Sequence, residues 1–283
     1  MARTTSSAGD LGSKTSSKDL MPHQRVPPRE VQLSYIGEIV KLMLRHMHQV
    51  MSVRRIPFLD ALTDYVDIYR KTSFYNLSDL SETERLRPQW DGMVTQLEDV
   101  FNQHLAGERP ADQIEEAGLQ LLWPHLVERI DRGLPIVDYK QDTTFGCFFF
   151  AQTESAIDLH FVNKLRPVSP FERPLDRATE LYELLRYCSE HHPQLKEIKF
   201  GSWLNEYPPY RRLFPPSWRV SGEGKKYNSL GWWGQFMNRC GDFHRPNAKR
   251  FRETGDFPYQ CEFHHCPTQD LEEHLVTLLK DGK

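Results

Sequence analysis

Residues 156–162 and 197–204 have the composition of β-strands, and they carry a histidine and a serine that could do chemistry. If the two strands pair, His160 could approach Ser202 or the main chain at Gly201. A histidine beside a serine or a water molecule can act as a general base, and a glycine allows a ligand close to the main chain. The alternative is an inert, hydrogen-bonded histidine on the face of a sheet, which is the more frequent case and the one we favour.

These two strands need further elements to position them. Apolar residues at three- and four-residue spacing predict a helix near 175–191, and strands joined by a helical crossover are usually parallel neighbours. An apolar run at 145–151 predicts another strand before them. The patterns further along the chain predict a loop at 218–227, a helix within 229–239, a strand at 257–263 and a last helix at 270–280.

The first half of the chain has helical periodicity. Residues 1–28 are poor in large apolar side chains and predict a disordered tail, whereas about four amphipathic helices follow between 31 and 130. Pro124 predicts a kink or a split in the last of them, and 134–139 resembles a short strand. We therefore expect an α+β protein, with α/β as the alternative, organised as a tail (1–28), a helical region (29–132) and an α/β region (133–283).

Composition excludes several classes of protein. The 283 residues carry a net charge of -3, so the basic surplus of a general nucleic-acid binder is missing. No apolar run approaches the ~20 residues that span a bilayer. The five cysteines are odd in number and scattered, unlike a disulfide framework. We expect a cytoplasmic protein that acts on a small molecule, without nucleic-acid or membrane partners.

A cluster near the C-terminus has cysteine and histidine, the side chains that bind zinc. Its members are Cys240, His244, Cys261, His264, His265 and Cys266. Residues 259–265 also alternate as an ordinary strand does, and the glycine-containing knuckle typical of paired metal ligands is missing. We favour the strand and expect no zinc.

Two further features carry weaker signals. Residues 221–226 form a glycine-bearing basic stretch that lacks the spacing of a P-loop, so we favour a surface loop. An aromatic group with three arginines could line a pocket for an acidic or planar ligand, although a core beneath a proline-rich loop is the more frequent outcome. This group comprises Tyr207, Tyr210, Phe214, Trp218, Trp232, Trp233 and Phe236 with Arg211, Arg212 and Arg219.

The order strand, strand, helix, strand, with Leu159-His160 on one strand and Ser202-Trp203-Leu204 ending the next, resembles the GNAT superfamily of acyl-CoA-dependent acyltransferases. The resemblance covers roughly 134–280. It implies that the two strands splay apart and hold acyl-CoA between them, with the main chain at Gly201 and Trp203 as part of the cofactor site. It further implies His160 as base, with Ser202 or Tyr207 as acid. A non-catalytic binding protein on a degenerate GNAT-like fold is the alternative.

The chain departs from that family in one segment. GNAT proteins hold the pyrophosphate of the cofactor on a glycine-rich turn before the central helix. The corresponding segment here, 163–174, has three prolines and no glycine. Lys164, Arg166 and Arg173 could neutralise phosphates in its place.

Overall fold

The computed structural model describes residues 26–107, 110–134, 144–221 and 228–282, and it has the α+β architecture expected from the sequence. The helices are α1 (Arg29–Arg54), α2 (Phe58–Asp64), α3 (Leu80–Arg85), α4 (Arg87–Ala106), α5 (Ala111–Asp131), α6 (Pro174–His191), α7 (Pro208–Arg211), α8 (Leu230–Trp233), α9 (Arg245–Thr254) and α10 (Thr268–Asp281). The strands are β1 (Phe148–Gln152), β2 (Ala156–Phe161), β3 (Glu197–Ser202), β4 (Arg219–Val220) and β5 (Glu262–Pro267).

The N-terminal helices begin and end where the sequence dictates. α1 buries an apolar stripe and is capped at its C-terminus by Arg55, whose φ of 59° lies in the left-handed region, shortly before Pro57. α4 ends at Gly107. α5 runs through Pro124 as one helix, so a split at that proline was wrong. Among the described residues no helix has the length and apolar character needed to cross a bilayer.

Five strands form one mixed sheet in the order β1-β2-β3-β5-β4. β1 and β2 are antiparallel, whereas β2 and β3 are parallel and are connected by α6. β5 is antiparallel to both β3 and β4. The parallel pair and its crossover helix are therefore confirmed.

The buried apolar side chains form two cores. One core unites α6 and α10 with the face that carries Ile157 and Ile198. The other unites the N-terminal helices with residues between Trp232 and Cys261. The C-terminal half thus contributes side chains to the core of the helical region, and packing crosses the boundary expected at 132/133.

Several elements differ from the sequence expectation. The last strand lies at Glu262–Pro267, later than 257–263, because Phe257 is buried among the aromatic side chains of the helical core instead. Strand β4 lies within the expected loop 218–227. The helix α9 was not predicted, since only Ala248 and Phe251 are buried and polar or charged side chains make up most of the rest. The expected tail up to 25, most of the strand 134–139 and the glycine-bearing stretch at 222–226 lie outside the described residues.

Candidate functional site

The parallel strands β2 and β3 separate before either one ends. Their ladder has three pairs, Ala156 with Glu197, Ile157 with Ile198, and Asp158 with Lys199. Beyond that point 159–161 of β2 are matched only with β1, and 200–202 of β3 only with β5. We call the space between these two ends the interstrand wedge. Backbone groups on its inner edges are not joined to each other in a ladder, and Gly231 of α8 packs against the Gly201 carbonyl, since a Cβ built on Gly231 would lie 2.7 Å from that oxygen.

His160 lies two residues beyond the last parallel pair. Its ring stacks on Phe149 with centroids 4.9 Å apart and an interplanar angle of 14°. Its Nε2 is 3.8 Å from Oδ2 of Asp158, and 37% of its side chain is exposed. Burial lowers the pKa of His160, and the Asp158 carboxylate opposes that shift in part. The imidazole is therefore neutral near neutral pH and able to accept a proton.

Ser202 lies on the other face of the sheet from His160. Register partners in a parallel pair point to the same side, so His160 shares its face with Lys199 and Gly201, and Ser202 shares its face with Phe200. Ser202 Oγ accepts a hydrogen bond from the Leu204 amide at 3.2 Å, which caps the 3₁₀ turn Trp203–Glu206. The expected approach of Ser202 to His160 was wrong because the pleat separates them.

The space beside Gly201 is filled by a neighbouring side chain. A Cβ built on Gly201 would lie 2.3 Å from Cε1 of Phe263, its partner across the β3–β5 ladder. A ligand on that side would meet the Phe263 ring. The expectation that Gly201 admits a ligand on this face is therefore corrected, since the missing side chain makes room for a phenylalanine.

An aromatic group lies at the carboxyl end of β3. The ring of Trp203 is 6.0 Å from Tyr207 and 5.5 Å from Tyr259. Tyr207 is half-buried, and its ring lies 5.5 Å from Phe171 in the segment that leads to α6. Trp203 and Tyr207 thus lie together after the end of β3.

Tyr210 spans the interstrand wedge on its helical side. Its ring centroid is 5.8 Å from Phe161 of β2 and 5.5 Å from Phe200 of β3. The side chain is fully buried, and Oη has no hydrogen-bond partner among the described residues. Burial raises the pKa of Tyr210 well above its ordinary value. Tyr210 was predicted only as a member of the aromatic group; its spacing of three from Tyr207, which precedes α7, was the available signal.

The three cations expected to hold phosphates bind different partners. Lys164 Nζ donates to Thr144 Oγ1 at 2.8 Å, and Arg166 Nη2 donates to Met237 Sδ at 3.0 Å. Arg173 pairs with Asp176 at 3.0 Å. Asp176 lies in the first turn of α6, whose first residue is Pro174. The structure does not gather these cations around the start of α6, where the family places the pyrophosphate.

A buried ion pair fixes the start of α6 against β1. Arg177, 2% exposed, pairs with Glu180 and donates from Nη1 to Pro170 O at 3.0 Å. Glu180 also accepts the Cys147 amide at 2.9 Å, next to Gly146, whose φ of 56° suits glycine. The ion pair therefore joins the start of α6 both to the residue before β1 and to the segment that precedes α6.

The cysteine and histidine cluster is dispersed. Cys240 is exposed, whereas Cys261 is buried in the helical core. His244 caps α9 by accepting the Asn247 amide at 3.2 Å, and His264 Nε2 bonds Glu262 at 2.8 Å. Within 26–107, 110–134, 144–221 and 228–282, no three cysteine, histidine or acidic side chains form a group suited to a metal ion.

The aromatic side chains singled out in the sequence divide between two places. Trp232, Trp233 and Phe236 are buried in the helical core. Phe214 and Trp218 lie beside Arg211 and Arg212 in a pocket on the helical face of the sheet. Both outcomes weighed for this group, a core and a pocket, are therefore present.

Searches against family models, curated proteins and solved structures return no match to this chain. The geometry has to support any function by itself. It provides a parted pair of parallel strands, a neutral histidine at the opening, and a buried tyrosine with a hydroxyl that needs a partner.

Proposed function

We propose that this protein is a divergent GNAT-like acyltransferase that binds an acyl thioester in the interstrand wedge and transfers the acyl group to an amine or hydroxyl of a small molecule. The observation that carries the proposal is the end of the parallel ladder at Asp158 and Lys199, two residues before His160. The GNAT resemblance implies such a splay, with the amides of the donor paired to the opened backbone. The sheet order and the crossover helix α6 are consistent with it.

The donor is held through its pantetheine arm and not through a pyrophosphate cradle. Pantetheine is an extended diamide, so it can exchange hydrogen bonds with the inner edges of 159–161 and 200–202. The start of α6 opposes a polyphosphate because Asp176 lies in its first turn and prolines remove amide donors. Acyl-CoA and a shorter acyl-pantetheine are thus both expected donors.

The chemistry follows from the neutral imidazole. As the acceptor nitrogen attacks the thioester carbonyl, a C–N bond forms and His160 takes the proton lost by nitrogen. The tetrahedral intermediate collapses with cleavage of the C–S bond. The departing thiolate receives a proton from Tyr207, which follows the 3₁₀ turn after β3 and lies beside Trp203. Ser202 has no part, since it caps a turn on the other face.

A second candidate is ligand binding without catalysis on the same fold. Phe263 over Gly201 and the Tyr210 ring across the wedge favour it, because both occupy space that a reacting donor would use. In either case the ligand is a small molecule. We also propose a reducing compartment such as the cytoplasm, which the five free cysteines support.

The first experiment measures the thermal midpoint with acetyl-CoA and with S-acetylpantetheine. It tests donor binding, which both candidate functions require. Since a ligand that binds only the folded state raises the midpoint, both donors are expected to do so by similar amounts. Thiol release in the presence of a panel of small amines then reports transfer. No shift with either donor would contradict the proposal, and a shift without transfer to any amine would select the binding candidate.

A further inference from the structure

A pocket lies on the helical face of the sheet, between the segment that follows α7 and the last helix, α10. Its floor is made by Phe214 and Trp218, whose rings are stacked with centroids 4.3 Å apart and an interplanar angle of 22°. Leu278 and two prolines complete the apolar walls. The volume is about 400 Å³, within the range of about 300–1,000 Å³ that small-molecule sites have.

The rim of this pocket is positive. Arg211 and Arg212 are exposed, and neither guanidinium forms an ion pair with any residue that the structure describes. His274 Nε2 donates to Arg212 O at 3.2 Å, which ties α10 to the arginine pair. None of the side chains that line the pocket is acidic. Two unpaired guanidinium groups above an apolar floor therefore lack a counter-anion.

We propose that this pocket binds a small aromatic carboxylate, with its ring against Phe214 and Trp218 and its carboxylate on Arg211 and Arg212. A guanidinium matches a carboxylate through two parallel hydrogen bonds and also stacks on aromatic rings. A planar ring fits the stacked floor better than a flexible chain does, because fewer rotatable bonds are ordered on binding. A strongly hydrated phosphate would leave the apolar floor uncovered.

This pocket is distinct from the interstrand wedge. Phe214 separates them, since its ring lies 5.0 Å from Tyr210 on the wedge side while it forms the pocket floor on the other. His160 and the loop before α6 do not line the pocket. The proposal therefore does not depend on acyl transfer, and either one can fail without the other.

Titration calorimetry of the full chain with 2-naphthoate tests the proposal. A dissociation constant of about 0.1–1 mM is expected for a ligand of this size. The neutral 2-naphthamide keeps the ring and loses the charge, so it is expected to bind at least about tenfold more weakly. Octanoate keeps the charge and lacks the ring, and it too is expected to bind more weakly.

Arginine variants inside and outside the pocket test whether naphthoate binds there. Arg211→Gln with Arg212→Gln is expected to weaken naphthoate at least about tenfold, because each charge-assisted contact contributes more than a neutral one. Arg219→Gln is the matched control, because Arg219 is also exposed and lies outside the pocket, and it is expected to leave the affinity unchanged. Thermal midpoints and acetyl-CoA binding of all variants are expected to match the parent protein.

Three results would overturn the proposal. They are no heat of binding with naphthoate up to about 5 mM, equal affinities for naphthoate and naphthamide, and an affinity that the double substitution leaves unchanged. Tighter binding of octanoate than of naphthoate would instead assign the pocket to aliphatic acids and would reject the aromatic ligand.

Discussion

Asp158 of β2 and Lys199 of β3 form the last parallel pair of the sheet, and beyond them the two strands part. The same aspartate lies 3.8 Å from His160 on the face away from α6. One residue thus marks where the ladder ends and also influences the charge of the imidazole beside the opening. The proposed chemistry depends on both features, the end of the parallel ladder and the neutral imidazole beside it.

Replacing His160 by alanine is expected to lower the acyl-transfer rate by about 10²–10⁴-fold, since this is the range that a positioned general base contributes. The affinity for the acyl donor, measured by thermal shift, is expected to change little. His192→Ala is a suitable control, since His192 ends α6 beyond the wedge and contacts Gln152. Full turnover by His160→Ala would remove the proposed base.

Asp158→Asn tests the charge of the same imidazole through the pH profile. Burial lowers the pKa of His160 and Asp158 raises it, so removing the carboxylate is expected to lower that pKa further. A base is active when unprotonated, so the acid limb of kcat/KM is expected below about pH 6.5 and at still lower pH in the variant. An acid limb that stays in place or moves upward contradicts this assignment.

Tyr210→Phe tests the unpartnered hydroxyl. Because Oη has no partner among the described residues, removing it is expected to leave the unfolding free energy unchanged or to raise it by up to about 1 kcal/mol. The transfer rate is expected to change little, because Tyr210 packs on the α6 face of the sheet and His160 lies on the other face. Urea unfolding and a rate assay measure the two effects. A loss of more than about 1 kcal/mol would show that the hydroxyl has a structural partner.

Glu180→Ala tests the buried ion pair at the start of α6. Without the carboxylate, the buried Arg177 charge loses its partner, which costs about 3–5 kcal/mol of unfolding free energy. Glu190→Ala is the matched control, because its pair with Arg186 is exposed on the same helix and is expected to contribute less than about 1 kcal/mol. Equal losses in the two urea titrations would contradict the structural role of Glu180.

His46 gives the fold an acid sensitivity. Its ring lies 5.3 Å from Phe257 and 5.7 Å from Phe251, and burial lowers its pKa from 6.5 to about 4. The unfolded chain therefore takes up the proton first, so the stability contributed by neutral His46 is complete above about pH 6.5 and is lost as the pH falls towards 4. Over that interval the loss is about 3 kcal/mol.

His46→Phe removes the titrating group and keeps an aromatic ring in the core. Between about pH 7.5 and about pH 5, the parent protein is expected to lose about 2 kcal/mol more unfolding free energy than the variant. Urea unfolding at the two pH values measures this difference. Equal losses would show that His46 is not buried as a neutral side chain.

Sequence patterns were sufficient for the fold class and for most elements that carry the site. The strand 156–162, the helix 175–191 and their parallel connection follow from local periodicity, which burial on the sheet and on one helix face imposes. The shift of the last strand to Glu262–Pro267 did not follow, because Phe257 and Cys261 are apolar for another reason, their burial in the helical core. Local alternation cannot tell a strand from an irregular buried segment.

The site itself was predictable only in part. The position of His160 on a strand followed from alternation. Its separation from Ser202 did not, because it depends on the register between β2 and β3, and a shift of one residue would place the side chain on the other face. The glycine at position 201 suggested a main chain that a ligand could approach, whereas Phe263, 62 positions later, fills the space beside it. Tertiary contacts of that range leave no local pattern in a single sequence.

The most direct test of the interstrand wedge is amide hydrogen exchange measured with and without S-acetylpantetheine. If the donor pairs with the parted strands, amides within 159–161 and 200–202 that face the wedge are expected to gain protection, while the β3–β5 ladder, already paired, is expected to stay unchanged. Saturating donor that leaves both segments unprotected, or that protects only a distant region, would contradict the account.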